Sequence, residues 1–296
     1  MKQVLLYNRN TQHIESEKTY QADGLAFLYK TKIGKTLIHS ILNKKMVSKI
    51  YGQAVKSRQS RYLIKKFIHH YNIDTSEIKQ PIESFRNFNA FFIRELVPGA
   101  RPVDETPSHL ISPADSRLMV FDLANTGALP VKGYWYSLLD LVKDKKIAQE
   151  YHDGWCFVYR LAPSDYHRFC YIDNGTQTGV KRLRGVLHSV NPIALSATKN
   201  LLSKNYRELT VLETENFEKV VQLEVGALLV GKIVQRKRHA HTFRRGEEKG
   251  WFEYGGSTII QLFKKQYITP DPDILEHSVK GIETLVKMGE KTGAKL

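Results

Sequence analysis

The chain has 296 residues, of which 42% are hydrophobic and 25% are charged. This composition is ordinary for a globular protein and excludes a disordered or collagen-like chain, and the length fits one large domain or a compact domain with an appendage. The formal net charge of +15 predicts a surface that attracts polyanions, either nucleic acid or an anionic bilayer, and composition does not choose between them.

The first predicted element is a basic helical region. Apolar residues recur at helical spacing between residues 24 and 71, and the same stretch carries eleven lysines and arginines but no acidic residue through Ile73. This pattern is typical of an amphipathic helix at a membrane interface. It is equally typical of a helical subdomain that packs its apolar face on the core, and the two interpretations are compatible.

An aromatic helix and a strand-rich part follow. Four phenylalanines lie between Phe85 and Phe92, and the turn formers of residues 98–102 end that segment. Beyond it, short apolar runs alternate with glycines and polar turns, which predicts strands. The runs are 118–123, 155–161, 209–212, 220–225, 228–234 and 258–263. We therefore predict an α+β protein, with a basic helical region over 1–100 and a β-rich catalytic domain of mostly antiparallel strands over 101–296.

The cysteines and the apolar runs indicate the cellular compartment in which the protein is expected. Cys156 and Cys170 form no CxxC pair, so neither a disulfide framework nor a cysteine-rich zinc site is predicted, and no metal is expected. The apolar run at the N-terminus is too short for a signal peptide, and residues 225–234 fall short of the roughly 20 residues that span a bilayer. We expect a protein that contacts the cytoplasmic face of the membrane peripherally.

Four segments carry the chemistry, and each is weak alone. They are Ser112-Pro113-Ala114-Asp115, residues 162–169 with the string Asp165-Tyr166-His167-Arg168, residues 246–250, and Gly255-Gly256-Ser257-Thr258. A Gly-Gly-Ser-Thr string by itself is typical of a turn before a strand. In this order, the four segments resemble the phosphatidylserine decarboxylase family, particularly bacterial members whose processing motif reads Gly-Gly-Ser-Thr. The resemblance extends to residues 88–96, 131–133, 190–192 and 205–207.

Ser257 is the predicted chemical centre. A serine hydroxyl attacks only when a base takes its proton, and Gly255 and Gly256 lack the Cβ atoms that would hinder a strained backbone. Attack on the Gly256 carbonyl gives an ester, and β-elimination followed by hydrolysis leaves chains 1–256 and 257–296, the second headed by a pyruvoyl group. The resemblance implies that this covalent cofactor forms a Schiff base with phosphatidylserine and releases carbon dioxide to give phosphatidylethanolamine.

The other site residues come from the resemblance. Asp115 matches the family's charge-relay aspartate, and His167 matches a histidine with a role in decarboxylation or proton handling. The family carries a second histidine three residues later, as the base of self-cleavage, where this sequence has Cys170. A neutral thiol is a poorer base at pH 7 than an imidazole. Three outcomes follow: His167 or His188 substitutes as the base, Cys170 serves, or cleavage is slow or absent.

The expected partners are phosphatidylserine, an anionic membrane surface and, for each cleavage product, the other product; a homodimer is compatible with the sequence. Nucleic acid is not an expected partner, because the basic stretch 235–245 is typical of a solvated loop between strands. Two alternatives remain open. One is a pyruvoyl decarboxylase of a soluble amino acid, and the other is a membrane-binding relative whose processing is impaired by Cys170.

Overall fold

The computed structural model describes residues 5–17, 31, 52–126, 129–131, 134–185, 201–226, 232–255 and 257–296. The α-helices are α1 (Tyr62–Tyr71), α2 (Phe88–Phe92), α3 (Leu123–Thr126), α4 (Leu138–Val142), α5 (Lys145–Glu150), α6 (Leu201–Lys204) and α7 (Pro272–Val279). The strands are β1 (Leu5–Asn8), β2 (His13–Ser16), β3 (His109–Ile111), β4 (Ser116–Asp122), β5 (Leu129–Val131), β6 (Tyr134–Tyr136), β7 (Trp155–Leu161), β8 (Arg168–Cys170), β9 (Gly175–Gln177), β10 (Lys181–Leu183), β11 (Arg207–Thr214), β12 (Glu218–Gly226), β13 (Ile233–Gln235), β14 (His241–Phe243), β15 (Glu248–Phe252), β16 (Ser257–Phe263), β17 (Ile268–Pro270), β18 (Glu283–Val286) and β19 (Lys291–Lys295).

One large sheet organises the molecule. Its strand order is β14-β9-β11-β12-β16-β7-β4-β18-β1-β2, with β10 paired to β11. Neighbouring strands are antiparallel except β1 and β18, which run parallel. Two three-stranded sheets, β13-β15-β8 and β17-β19-β3, accompany it. The predicted α+β class with mostly antiparallel strands is confirmed.

The main sheet buries both of its faces. Successive side chains of a strand point to opposite faces, and in β16 this sends Ile260 and Leu262 into one apolar cluster and Ile259 and Phe263 into another. The second cluster also contains residues of β8 and β15, from one small sheet, and of β3, from the other, so the two small sheets cover that face. Ser257 lies on the covered face, because it is two positions from Ile259.

The N-terminal part differs from the prediction at its start. Residues 5–16 form two strands at the edge of the main sheet, and this strand pair was not among the predicted elements. Most of the predicted helical stretch 24–71 lies outside the described residues, but α1 is helical as expected. Its Ile64 and Phe67 are buried, and Phe67 packs on Phe88 of α2 with ring centroids 5.1 Å apart.

No helix in the described part of the chain is both long and apolar enough to cross a membrane.

Candidate active site

Ser257 begins the central strand β16. It pairs with Gly226 of β12 on one side and with Leu161 of β7 on the other. The side chain is fully buried, and no described residue makes a hydrogen bond to its Oγ. Buried hydroxyls are almost always hydrogen-bonded, and an exception needs an explanation. A chemical role for this hydroxyl provides one.

The backbone ahead of Ser257 has a conformation that requires glycine. Gly255 has a φ of +137°, which L side chains rarely adopt. The glycine therefore lets the chain turn into β16 where a larger residue would be strained. Gly256, whose carbonyl Ser257 is predicted to attack, lies outside the described residues.

His167 lies beside this segment, in the connection between β7 and β8. Its Nδ1 is 2.9 Å from the carbonyl oxygen of Asp165. A carbonyl only accepts hydrogen bonds, so Nδ1 carries the proton and Nε2 is left as an acceptor. No described residue makes a hydrogen bond to Nε2.

The protonation of His167 is set mainly by burial. Burial lowers the pKa of His167 to about 3, the carbonyls of Asp165 and Gly255 act in the opposite direction, and the charges of Arg94 and Arg117 lower it further. The ring is therefore neutral at physiological pH. The His167 carbonyl also accepts a hydrogen bond of 2.9 Å from the Phe252 amide, three residues before Gly255, so the residue lies beside the predicted cleavage segment.

Helix α2 packs against His167 and against the residue before Gly255. Its N-cap residue Asn87 accepts a hydrogen bond from the backbone of Ala90, which fixes the start of the helix. The Phe92 ring lies 4.1 Å from the His167 ring and 4.9 Å from the Tyr254 ring, centroid to centroid. Asn89 Oδ1 accepts a hydrogen bond of 3.1 Å from the Tyr254 amide. The aromatic face predicted from the sequence thus holds the histidine and the residue before Gly255.

Asp115 precedes β4 and binds an arginine. Arg101 donates to it through Nε and Nη2 at 2.7 to 3.0 Å, and the Met288 amide donates at 2.9 Å. Burial alone would lower the pKa of Arg101, but the hydrogen bonds and charge of Asp115 raise it. Within the described residues, the relay aspartate predicted to orient a histidine is thus engaged by Arg101.

Cys170 ends β8, next to the loop that carries Asp115. Its amide donates to the Pro113 carbonyl at 2.9 Å, and its Sγ lies 3.9 Å from the Ser112 carbonyl. Burial raises the pKa of Cys170 to about 12. Almost no thiolate is present at neutral pH, so the thiol that replaces the family's second histidine is a weak proton acceptor.

The motif at residues 205–207 holds the strand opposite Ser257. Asn205 Nδ2 donates to the Gly226 carbonyl at 2.8 Å, and the Gly226 amide donates to the Tyr206 carbonyl at 2.9 Å. Arg207 is buried, and its partners among the described residues are backbone carbonyls, including that of Leu141 at 2.6 Å. These contacts keep Gly226, which has no side chain, across from the Ser257 hydroxyl.

Comparison with known proteins identifies the family. The family model for phosphatidylserine decarboxylase matches residues 88–294. Over 293 residues, covering 99% of this chain and 100% of the relative, the chain is 43% identical to a phosphatidylserine decarboxylase proenzyme of Clostridium perfringens. The chain belongs to the phosphatidylserine decarboxylase family. A phosphatidylserine decarboxylase proenzyme 2 of Clostridium acetobutylicum is also 43% identical, with 98% of each chain covered, and a proenzyme of Clostridium botulinum is 41% identical, with 99% of each covered.

Sequence reasoning missed a buried polar network on Ser257's face of the sheet. Lys249 and Glu224 are fully buried and form an ion pair of 2.8 Å, and Gln235 bonds to both. Glu224 pairs with Ile259, two positions from Ser257 on the same face. The sequence offered two signals for this network, Lys249 in the segment 246–250 and the polar Gln222 and Glu224 inside an apolar strand, but neither predicts the pairing.

Some predicted features lie outside the described residues. These are His188, Gly256, residues 132–133 and residues 190–192. Of the three bases considered from the sequence, the described residues bring His167 to the Gly255 segment and place Cys170 beside Ser112.

Proposed function

We propose that this chain is a phosphatidylserine decarboxylase that processes itself between Gly256 and Ser257. The observation that carries the proposal is a buried Ser257 Oγ without a described partner, shortly after β15, whose Phe252 amide donates at 2.9 Å to the carbonyl of the buried, neutral His167. The names of the relatives support it, because they are called phosphatidylserine decarboxylase proenzymes. A proenzyme implies an activating step.

In this proposal, His167 Nε2 receives the Ser257 proton as Oγ attacks the Gly256 carbonyl carbon. The Gly256–Ser257 amide bond breaks and an ester forms. Removal of the Ser257 α-proton then expels the Gly256 carboxylate and leaves a dehydroalanine, and water releases ammonia to give the pyruvoyl group. An imidazole with a strongly lowered pKa is a weak base. Each chain is cut once, so the proposed step does not require the rate of a repeated turnover.

The pyruvoyl group supplies an electron-accepting carbonyl that makes the loss of carbon dioxide easy. The residues present fit such a group. Gly226 offers no side chain opposite Ser257, and the Ser257 Oγ has no described hydrogen-bond partner that would have to be broken. His167 stays neutral, so it holds an acceptor at Nε2 and does not repel the substrate's ammonium group.

Both proposed fragments belong to one core. Strand β16 of the fragment 257–296 pairs on one side with β12 and on the other with β7, and both are in the fragment 1–256. Strands β18 and β19 also pair with strands of the larger fragment. The fragments therefore remain associated after the cut, because separating them would expose the centre of the main sheet.

We also propose that residues 1–100 contact the cytoplasmic face of the membrane while residues 101–296 carry the chemistry. A cavity of about 420 Å³ is lined by four basic residues and one acidic residue, together with Ser84, Phe85 and Asn87. The charged residues are Lys56, Arg58, Arg61, Arg86 and Glu83. Lys56 forms a 2.7 Å ion pair with Glu253, two residues before Gly255. This basic surface therefore adjoins the cleavage segment, where an anionic bilayer would present the substrate.

One observation favours a second candidate, a membrane-binding relative with impaired processing. Cys170 replaces the expected base, and its pKa is raised to about 12 by burial. Asp115 meanwhile binds Arg101. If His167 does not act on Ser257, the chain stays whole.

The substrate is tested by comparing carbon dioxide release from phosphatidylserine in vesicles with release from phosphoserine and free serine. Release from the vesicles alone supports the proposal. Faster release from a soluble compound would replace it with a decarboxylase of soluble amino acids. No release from any of the three would favour the impaired relative.

A further inference from the structure

Arg94 is a buried cation with unused hydrogen-bond donors. It follows α2, is 5% exposed, and its guanidinium lies 5.1 Å from the centre of the Phe91 ring. Its Nη2 is 3.5 Å from the Ser164 carbonyl, at the limit of a hydrogen bond. No described residue makes a hydrogen bond to Nε or Nη1. A guanidinium has five N–H donors, so most of its capacity is unused.

The two carboxylates near Arg94 already have partners. Burial lowers the pKa of Arg94, and the charges of Asp115, Tyr166 and Asp165 act on it. Asp115 receives two donors from Arg101, and Asp165 forms an ion pair with Arg117. None of the described carboxylates forms an ion pair with Arg94. A buried charge that lacks its own counter-ion is costly, which points to an anion that arrives from outside the chain.

The position of Arg94 indicates that such an anion would bind near His167 and the cleavage segment. Phe92, two residues before Arg94, contacts the His167 ring, and the charge of Arg94 lowers the pKa of His167. The Ile93 carbonyl accepts hydrogen bonds from Arg168 at 2.9 and 3.1 Å, which fixes the backbone just before Arg94. The guanidinium is therefore held near the imidazole that lies at Gly255.

We propose that Arg94 binds the carboxylate of the serine head group, an assignment that rests on the proposed function. The head group has two anions, the carboxylate and the phosphate. The carboxylate is bonded to the carbon that carries the reacting amine, whereas the phosphate is separated from that carbon by a methylene and an oxygen. A cation near His167 and Gly255 matches the nearer anion. Carbon dioxide departs from that carboxylate, so the product no longer bears the anion that Arg94 holds.

The test compares wild type with Arg94→Gln and Arg94→Lys on phosphatidylserine vesicles, with phosphatidylethanolamine added as a product inhibitor. We expect Arg94→Gln to raise KM for phosphatidylserine at least tenfold, Arg94→Lys to raise it less, and both to leave inhibition by phosphatidylethanolamine unchanged. Phosphatidylethanolamine keeps the phosphate and lacks the carboxylate. Equal weakening of substrate and product binding would assign Arg94 to the phosphate and overturn the proposal.

Three controls separate the remaining outcomes. The far-ultraviolet circular dichroism and the extent of self-cleavage of each variant show whether it has folded, and Arg94→Lys, which keeps the charge, serves where Arg94→Gln does not fold. An unchanged KM in a folded, cleaved variant overturns the assignment while leaving the proposed function intact. A wild-type protein that releases no carbon dioxide from phosphatidylserine overturns the proposed function and this assignment with it.

Discussion

Lowering the pH from 7 to 5 should destabilise the protein through His167. Burial lowers the pKa of this residue to about 3, whereas a histidine in an unfolded chain has a pKa near 6.5. Between these two values the unfolded chain binds a proton that the folded protein does not. Stability is therefore lost as the pH falls through 6.5, and at pH 5 the loss is about 2 kcal/mol, since each pKa unit corresponds to about 1.4 kcal/mol.

The assay is urea unfolding at pH 7 and pH 5 in a Ser257→Ala background, so that every protein is a single uncut chain. His167→Asn is the perturbation, because its amide nitrogen can still donate to the Asp165 carbonyl while the titrating ring is gone. The variant should be less stable than its parent at pH 7, and that deficit should shrink by about 2 kcal/mol at pH 5. Taking the difference between parent and variant cancels the other titrating groups.

Val158→Ala is the matched control, since Val158 is buried on the opposite face of the main sheet, in the cluster that contains Ile260. It should cost the same at both pH values. A deficit of His167→Asn that is equally independent of pH would contradict a lowered pKa of His167, because it would show that the folded protein protonates this residue as readily as the unfolded chain does.

Three further predictions concern the base, the network and the membrane. The self-cleavage rate of Cys170→Ala should lie within about twofold of the wild-type rate, whereas His167→Asn should slow cleavage by about 100-fold or more, the usual contribution of a general base. Gel analysis of both variants during expression measures the two rates. Slower cleavage in Cys170→Ala than in His167→Asn would assign the base to Cys170. Lys249→Met in the Ser257→Ala background should lower the free energy of unfolding in urea at pH 7 by about 3–4 kcal/mol, because it leaves Glu224 buried without its cation. Adding Glu224→Gln should recover most of that stability. A loss below about 1 kcal/mol would contradict the importance of the buried ion pair. Arg58→Gln with Arg86→Gln should weaken binding to vesicles that contain phosphatidylglycerol by about 30-fold, at about 1 kcal/mol per charge. The control Lys145→Gln with Lys146→Gln removes two exposed charges from α5 and should change the binding little. Equal effects of the two pairs would show that the basic cavity contributes only through the general charge of the protein.

The strands were predictable because their signal is local. The apolar run at 155–161 coincides with β7, and the run at 258–263 is β16 without its first residue. Ser257 itself was predictable from a glycine pair followed by serine within a larger motif. The positive φ of Gly255 agrees with the expectation that glycine is required there.

The contacts between distant segments were not predictable. The pairing of Lys249 with Glu224, or of Arg101 with Asp115, depends on which strands lie side by side and in which register, and local spacing does not encode either. The N-terminal strand pair was missed for the same reason: β1 is a short segment that is stabilised by β18, more than 270 residues later. The proposal of His167 as the base depended on position, because both side chains are fully buried and only the fold places His167 beside Phe252 and Cys170 beside Ser112.

The intact mass of the purified protein tests directly whether the chain cuts itself between Gly256 and Ser257. We expect two chains divided between Gly256 and Ser257, with the smaller one lacking a free N-terminal amine, and a single uncut chain for Ser257→Ala. A wild-type protein that remains one chain of 296 residues would contradict it.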